Sequence, residues 1–221
     1  MPAFTLNVES LIAAAIILLV SFPVHEFSHA WVAYRLGDGT AKLFGRLTLN
    51  PIAHFDPIGG LLLVASSLTG VGIGWAKPTP VNPSNLRGGH DSEGIVAFAG
   101  PASNLILAAL GAIPFRLLIA AEADVPDIVI KVLFYFIVIN IALMLFNLVP
   151  VPPLDGSKVL FSFMSPRQVH QWRPMLEQYG FILLIFVAFV PILPGQQTVF
   201  QFIFEKIGIP IVGFLIGQNV S

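Results

Sequence analysis

The hydrophobic positions of this chain fall in long continuous runs rather than on alternating faces. Leu11 to Val24 is apolar apart from Ser21 and Pro23, and helix-compatible residues continue to Leu36. Further runs cover Gly94–Ala121, Asp127–Val149 and Gln178–Leu193. Each is near the roughly 20 apolar residues that a membrane-spanning helix needs. The last run, Gln197–Gly217, is interrupted by Glu205-Lys206 and by Pro210, a pattern open to a span, a break or an interfacial helix. The expectation is an all-α polytopic membrane protein of about 5–6 membrane segments.

Pro57–Thr69 differs from these runs. Its apolar core of about a dozen residues is the length of a re-entrant or interfacial segment. Turn-forming sequences flank it, Gly45-Arg46-Leu47-Thr48-Leu49-Asn50-Pro51 before and the glycine-rich Gly70–Pro83 after. Irregular backbone at membrane depth survives only where protein or a water-filled cavity supplies its hydrogen bonds. Residues 37–93 therefore read as a re-entrant insert on one side of the membrane, with room for a small β-hairpin.

Composition agrees with a membrane protein: 56% of the 221 residues are hydrophobic and 10% are charged, against roughly 25% charged in soluble domains. A net charge of −1 gives no footprint for nucleic acid. With no cysteine, any metal ligands must be His, Asp or Glu. The first apolar run has no Lys or Arg before it and no small-residue cleavage site after it, so it reads as a span rather than a signal peptide. No extramembrane stretch is long enough to fold separately. The expectation is a single membrane-embedded unit over 1–221, with its core at 10–175 and C-terminal helices at 176–221.

Charge also orients the segments. Arg35, Lys42, Arg46, Lys77 and Arg87 lie in 35–93, and Lys158, Arg167 and Arg173 follow the third long run. The connection between the second and third runs is acidic, with Glu122, Asp124 and Asp127. The positive-inside rule places the N-terminus outside, 37–93 and 150–177 inside, and the acidic turn outside.

Against this apolar background, His25-Glu26-Phe27-Ser28-His29 stands out. Ionisable groups at membrane depth are costly and usually functional. Residues four apart share a helix face, so His25 and His29 can hold one metal ion, with Glu26 beside them to take a proton from a water the metal activates. A catalytic zinc ordinarily has three protein ligands. The candidate for the third is Asp155, in Asn147-Leu148-Val149-Pro150-Val151-Pro152-Pro153-Leu154-Asp155-Gly156. Its prolines stop the helix and leave an extended stretch, and Gly156 permits a tight turn or close approach. The topology above brings this carboxylate to the membrane face where the histidines lie.

The two motifs together resemble the site-2 protease family of intramembrane zinc metalloproteases, and Ala99-Gly100-Pro101-Ala102-Ser103-Asn104 and Gly74-Trp75-Ala76-Lys77-Pro78 resemble further elements of its short prokaryotic members. The resemblance covers about residues 10–175. It implies one catalytic Zn2+ held by His25, His29 and Asp155, with Glu26 as general base and proton shuttle. It also implies that Asn147 holds the substrate backbone or the developing oxyanion. The insert near Leu47–Asn50 and Gly72–Trp75 would present an edge strand to an unwound substrate. The implied partners are transmembrane protein substrates and the lipid bilayer, in a prokaryotic cell membrane with the active site nearer the cytoplasmic face. No stretch resembles the PDZ-type or CBS-type modules of longer relatives.

Plainer readings stand beside these. A membrane metal or proton transporter could use the same His/Asp cluster, although no internal repeat of the kind many transporters carry is evident. Asn147 could cap a broken helix, and Asn104 could bridge helices or serve the site. His54 and Asp56 could form a second metal site, line a water path or simply hydrogen-bond in a loop. His90 and His170 read as solvated.

Overall fold

The computed structural model describes residues 8–67, 74–192 and 196–218. Eleven α-helices are present among these residues. The first span is built from α1 (Val8–Ile16), a π-turn (Ile17–Ser21) and α2 (Phe22–Arg35). Short helices α3 (Thr40–Leu43), α4 (Pro51–His54) and α5 (Pro57–Ser67) form the insert. Then follow α6 (Gly89–Ala120), α7 (Asp127–Asn147), α8 (Asp155–Ser162) and α9 (Pro166–Phe189). The last span joins α10 (Val199–Ile203), a second π-turn (Phe204–Gly208) and α11 (Ile209–Ile216).

Among the described residues, four helices are long and apolar enough to cross a membrane: Ala14–Arg35, Asp91–Ala120, Asp127–Asn147 and Val199–Ile216. Two expectations change here. The run at Gln178–Leu193 forms the second half of α9, up to Phe189, and α9 is not among the four. Its first half carries Arg167, Arg173 and Glu177, which dilute its apolar character. The interrupted C-terminal run instead forms one continuous helical path. Its π-turn takes in Glu205 and Lys206, and Pro210, which has no amide to bond back to the preceding turn, follows directly after it. The first span uses the same device, with a π-turn ending at Ser21 and Pro23 in the first turn of α2.

α6 is the central element, packed against α2, α7 and α8. Small residues let it approach its neighbours closely, as is common between membrane helices. A Cβ at Gly111 would lie 2.6 Å from the Phe136 ring, and one at Gly94 would lie 2.1 Å from Ser162 Oγ. The main apolar core joins Ala112 and Phe115 of α6, Ile137 and Ile141 of α7, and Val212 and Ile216 of α11.

The insert leaves and returns at one point. Lys77 N–H donates to His54 O at 2.9 Å, closing the path that runs out through α5. An eleven-residue helix is only about 16 Å long, roughly half the hydrocarbon thickness. His54 and Lys77, on either side of α5, therefore lie together, and α5 by itself is too short to span. There is no β-strand among the described residues. Leu47–Asn50 forms an irregular bend in which Asn50 caps α4 and His54 Nε2–H donates to Thr48 O at 2.7 Å. Residues 68–73, which include the first half of the expected edge-strand segment Gly72–Trp75, lie outside the described residues.

The far end of α2 is tied to the start of α6. Arg87 N–H donates to Leu36 O, and the fully buried carboxylate of Asp38 accepts from Thr40 N and Oγ1, Asn82 N and Asn85 Nδ2. Burial alone would raise the pKa of Asp38, but these donors outweigh it and hold the carboxyl below its ordinary value.

Candidate metal centre

α2 carries His25 and His29 one turn apart on its buried face, and their rings meet edge to face at 4.7 Å between centroids. α8 carries Asp155 at its first position. The chain reaches it through Pro150, Pro152 and Pro153, which end α7 and set an extended approach at Leu154. Gly156 then fits beneath the end of α7, where an added Cβ would lie 2.3 Å from Leu148 O.

These elements bring the three predicted ligands together. Asp155 Oδ2 lies 3.0 Å from His25 Nε2 and 3.1 Å from His29 Nε2. One ligand atom from each residue falls within a 4.8 Å cluster. Because the residues are 130 positions apart for the first pair, the contact is made by the tertiary fold and not by local sequence.

The opposite edge of each imidazole is also fixed. His29 Nδ1 faces Val96 O at 2.7 Å, and His25 Nδ1 faces Asn104 Oδ1 at 2.7 Å. A carbonyl oxygen can only accept, so His29 must carry its proton on Nδ1. In the neutral ring that leaves the Nε2 lone pair pointing at Asp155. With His25 in the same tautomer, three electron-rich atoms converge, an arrangement that calls for a cation between them.

The site has room for one. Gly100 of α6 lies against both rings, and an added Cβ there would sit 2.4 Å from His29 Nε2 and 2.5 Å from His25 Nε2. The absence of a side chain at Gly100 leaves a hollow on the ligand side of both imidazoles. Two imidazole nitrogens and a carboxylate oxygen are a donor set suited to zinc. The residues present fit the metal implied by the sequence.

Glu26 lines the same cavity, of about 660 Å3, together with Asn147, Trp75 and Thr79. Its Oε2 accepts from Thr79 N–H at 2.7 Å, and its main-chain carbonyl accepts from Thr79 Oγ1 at 3.0 Å. Asn147 Nδ2 donates to Leu143 O at 2.9 Å, so it does bond back to its own helix while also lining the cavity. Glu93, Lys158 and Arg173 line the cavity as well, and Arg173 reaches Glu93 at 3.4 Å.

Sequence reasoning left Asn104 open and did not single out Asn140, Thr79 or Glu93. Asn104 proves to touch His25 directly. His54 and Asp56 do not join the centre. His54 is buried against Thr48 O, and Asp56 caps the start of α5 by accepting from Ile58 N and Gly59 N. His25, His29 and Asp155 are the sole cluster of three or more His, Asp or Glu with metal-ligand proximity among the described residues.

Comparison with known proteins gives the family. The pattern of Peptidase family M50 matches residues 113–193. The chain is 40% identical over 184 residues to "Putative zinc metalloprotease YwhC" of Bacillus subtilis (strain 168), covering 80% of each chain. It is 32% identical over 179 residues to "Putative zinc metalloprotease Rip2" of Mycolicibacterium smegmatis, covering 79% of this chain and 66% of that protein. The Mycobacterium tuberculosis (strain H37Rv) protein of the same name is 30% identical over 183 residues, with 80% and 66% covered. No solved structure matches. Ligand cluster, helical membrane fold and relatives lead to one assignment: the chain belongs to peptidase family M50, the site-2 proteases.

Proposed function

We propose that this protein is a zinc-dependent intramembrane endopeptidase, hydrolysing peptide bonds in transmembrane or membrane-proximal segments of other proteins. The observation that carries the reading is the convergence of His25 Nε2, His29 Nε2 and Asp155 Oδ2 within a membrane-spanning architecture. The names of the M50 relatives support zinc as the metal. Zinc held by these three residues would polarise the scissile carbonyl and acidify a water molecule.

The protein's own residues do the rest. Glu26 takes a proton from the attacking water and returns it to the leaving amine nitrogen. Its carboxylate is aimed for this by Thr79, whose N–H fixes Oε2. Asn147 binds the substrate carbonyl through the amide hydrogen not engaged by Leu143 O. A helical substrate hides its carbonyls in its own hydrogen bonds and must unwind to be cut. The irregular segment 74–82, which lines the cavity, is the surface against which an unwound strand would lie.

The distribution of Lys and Arg supports a cytoplasmic position for the cavity mouth. Lys158, Arg173 and the basic residues of 35–93 lie at the end of the bundle where α2 ends, α6 begins and α7 ends.

The test compares wild-type protein and Glu26→Gln in detergent on a model transmembrane substrate. Retained zinc with cleavage lost is the expected result. Equal cleavage by both proteins would refute the reading, and metal or proton flux in liposomes that survives Glu26→Gln would favour a transporter.

A further inference from the structure

We infer that Asn140, in the middle of α7, is a positioning residue for the metal centre: acting through Asn104, it sets the ring tautomer of His25. This rests on His25 being a metal ligand, as proposed above. The observation is a chain of three hydrogen bonds. Asn140 Nδ2 donates to Phe136 O at 2.8 Å, Asn104 Nδ2 donates to Asn140 Oδ1 at 3.1 Å, and His25 Nδ1 faces Asn104 Oδ1 at 2.7 Å.

The direction of this chain is fixed from its far end. Phe136 O is a main-chain carbonyl and can only accept, so the Asn140 amide must turn its nitrogen toward it. The oxygen of Asn140 then faces Asn104, which must answer with its own nitrogen. The oxygen of Asn104 is left facing His25, which must carry its proton on Nδ1. Only then is Nε2 a lone pair directed at Asp155. Reversing either amide would set two acceptors against each other, and both side chains are fully buried, so no solvent relieves the conflict. His29 obtains the same tautomer directly from Val96 O. His25 obtains it at a distance, from a carbonyl on α7 relayed across α6.

Asn140 touches neither the ligand atoms nor the cavity. A polar amide at a fully buried position of an apolar span is costly unless satisfied, and here the Asn104 pairing makes full use of it. Groups that orient a ligating imidazole typically change metal affinity ten- to a hundredfold when removed.

The test uses two replacements that share one shape, Asn140→Thr and Asn140→Val. A threonine hydroxyl bonds back to the carbonyl four residues earlier. It would donate to Phe136 O and keep only acceptor character toward Asn104, preserving the polarity of the relay, whereas valine has the same shape without it. Zinc affinity of the full chain in detergent is measured by competition with a chromophoric chelator, alongside thermal unfolding. Asn140→Thr should stay within about threefold of wild type, and Asn140→Val should bind zinc roughly ten- to a hundredfold more weakly. Ile141→Ala, a buried neighbour on the same helix, should lower the unfolding temperature with zinc affinity unchanged. Equal affinities for the Thr and Val variants, or an equal loss in Ile141→Ala, would overturn the inference. A wild-type protein that binds no zinc would instead overturn the functional proposal on which it rests.

Discussion

Thr79 grips Glu26 at two points, its amide on the carboxylate and its hydroxyl on the main-chain carbonyl, at 2.7 and 3.0 Å. Pro78 and Pro80 flank it and have no amide hydrogen, so Thr79 supplies the one N–H of this tripeptide, on backbone the prolines hold stiff. The two bonds are separable by mutation. Thr79→Val keeps the amide and loses the hydroxyl bond, and should cost about 0.5–1.5 kcal/mol in stability with cleavage changed only a fewfold. Thr79→Pro removes the amide itself and should abolish most cleavage while zinc stays bound. Steady-state cleavage of a membrane substrate, with zinc content measured on the same samples, checks both.

Gly156 and Gly100 are both closely packed, but against different kinds of atom. At Gly156 the added Cβ of alanine meets main chain, Leu148 O at 2.3 Å and Val149 O at 2.5 Å, so the backbone carrying Asp155 has to move. Gly156→Ala should therefore lower both stability, by about 1–3 kcal/mol, and zinc content. Thermal unfolding and bound-metal analysis together read the two losses.

At Gly100 the obstacle is the ligand edges of His25 and His29. Gly100→Ala should fold with a stability near wild type yet lose zinc affinity by at least about tenfold, a displacement of ligand geometry rather than of the fold. Titration with a competing chelator, set beside the unfolding temperature, separates this case from Gly156→Ala. An alanine at 100 that left zinc affinity unchanged would argue against the hollow between the imidazoles as the metal position.

Asp38 predicts a pH dependence of stability. Its folded pKa lies below the ordinary 3.8, so its stabilisation is fully present above that value and is lost as pH falls through the lower, folded value. Asp38→Asn turns an amide nitrogen toward one of its four donor groups and should cost about 1–3 kcal/mol at neutral pH. The difference between wild type and variant should shrink on acidification below pH 3.8. Unfolding curves in detergent at neutral and acidic pH test the sign.

Much of the centre was legible in the sequence because its parts announce themselves chemically. Two histidines four apart in an apolar run share a face by helix geometry alone. The proline cluster before Asp155 marks where a helix must stop, and charge asymmetry brings that stop to the right end of the bundle. Asn140 gave no such signal, since an amide in an apolar span has many partners open to it and its spacing to Asn104 is not periodic. Thr79 was hidden for another reason: what it contributes to Glu26 is chiefly a main-chain N–H, which any residue but proline would supply. The last span was ambiguous because a π-turn, which accommodates Glu205-Lys206 before Pro210, leaves no mark in hydropathy.

The separation of the ligands along the chain carries a consequence for biosynthesis. His25 and His29 emerge from the ribosome early, whereas Asp155 follows 130 residues after the first of them. Until that stretch has been translated and α8 has docked on α6, the nascent protein holds two histidines and a base without the carboxylate that completes the set. The order of synthesis thus keeps the ligand set incomplete while the first three spans are made, and leaves the last span, Val199–Ile216, to join the core after Asp155 has been added.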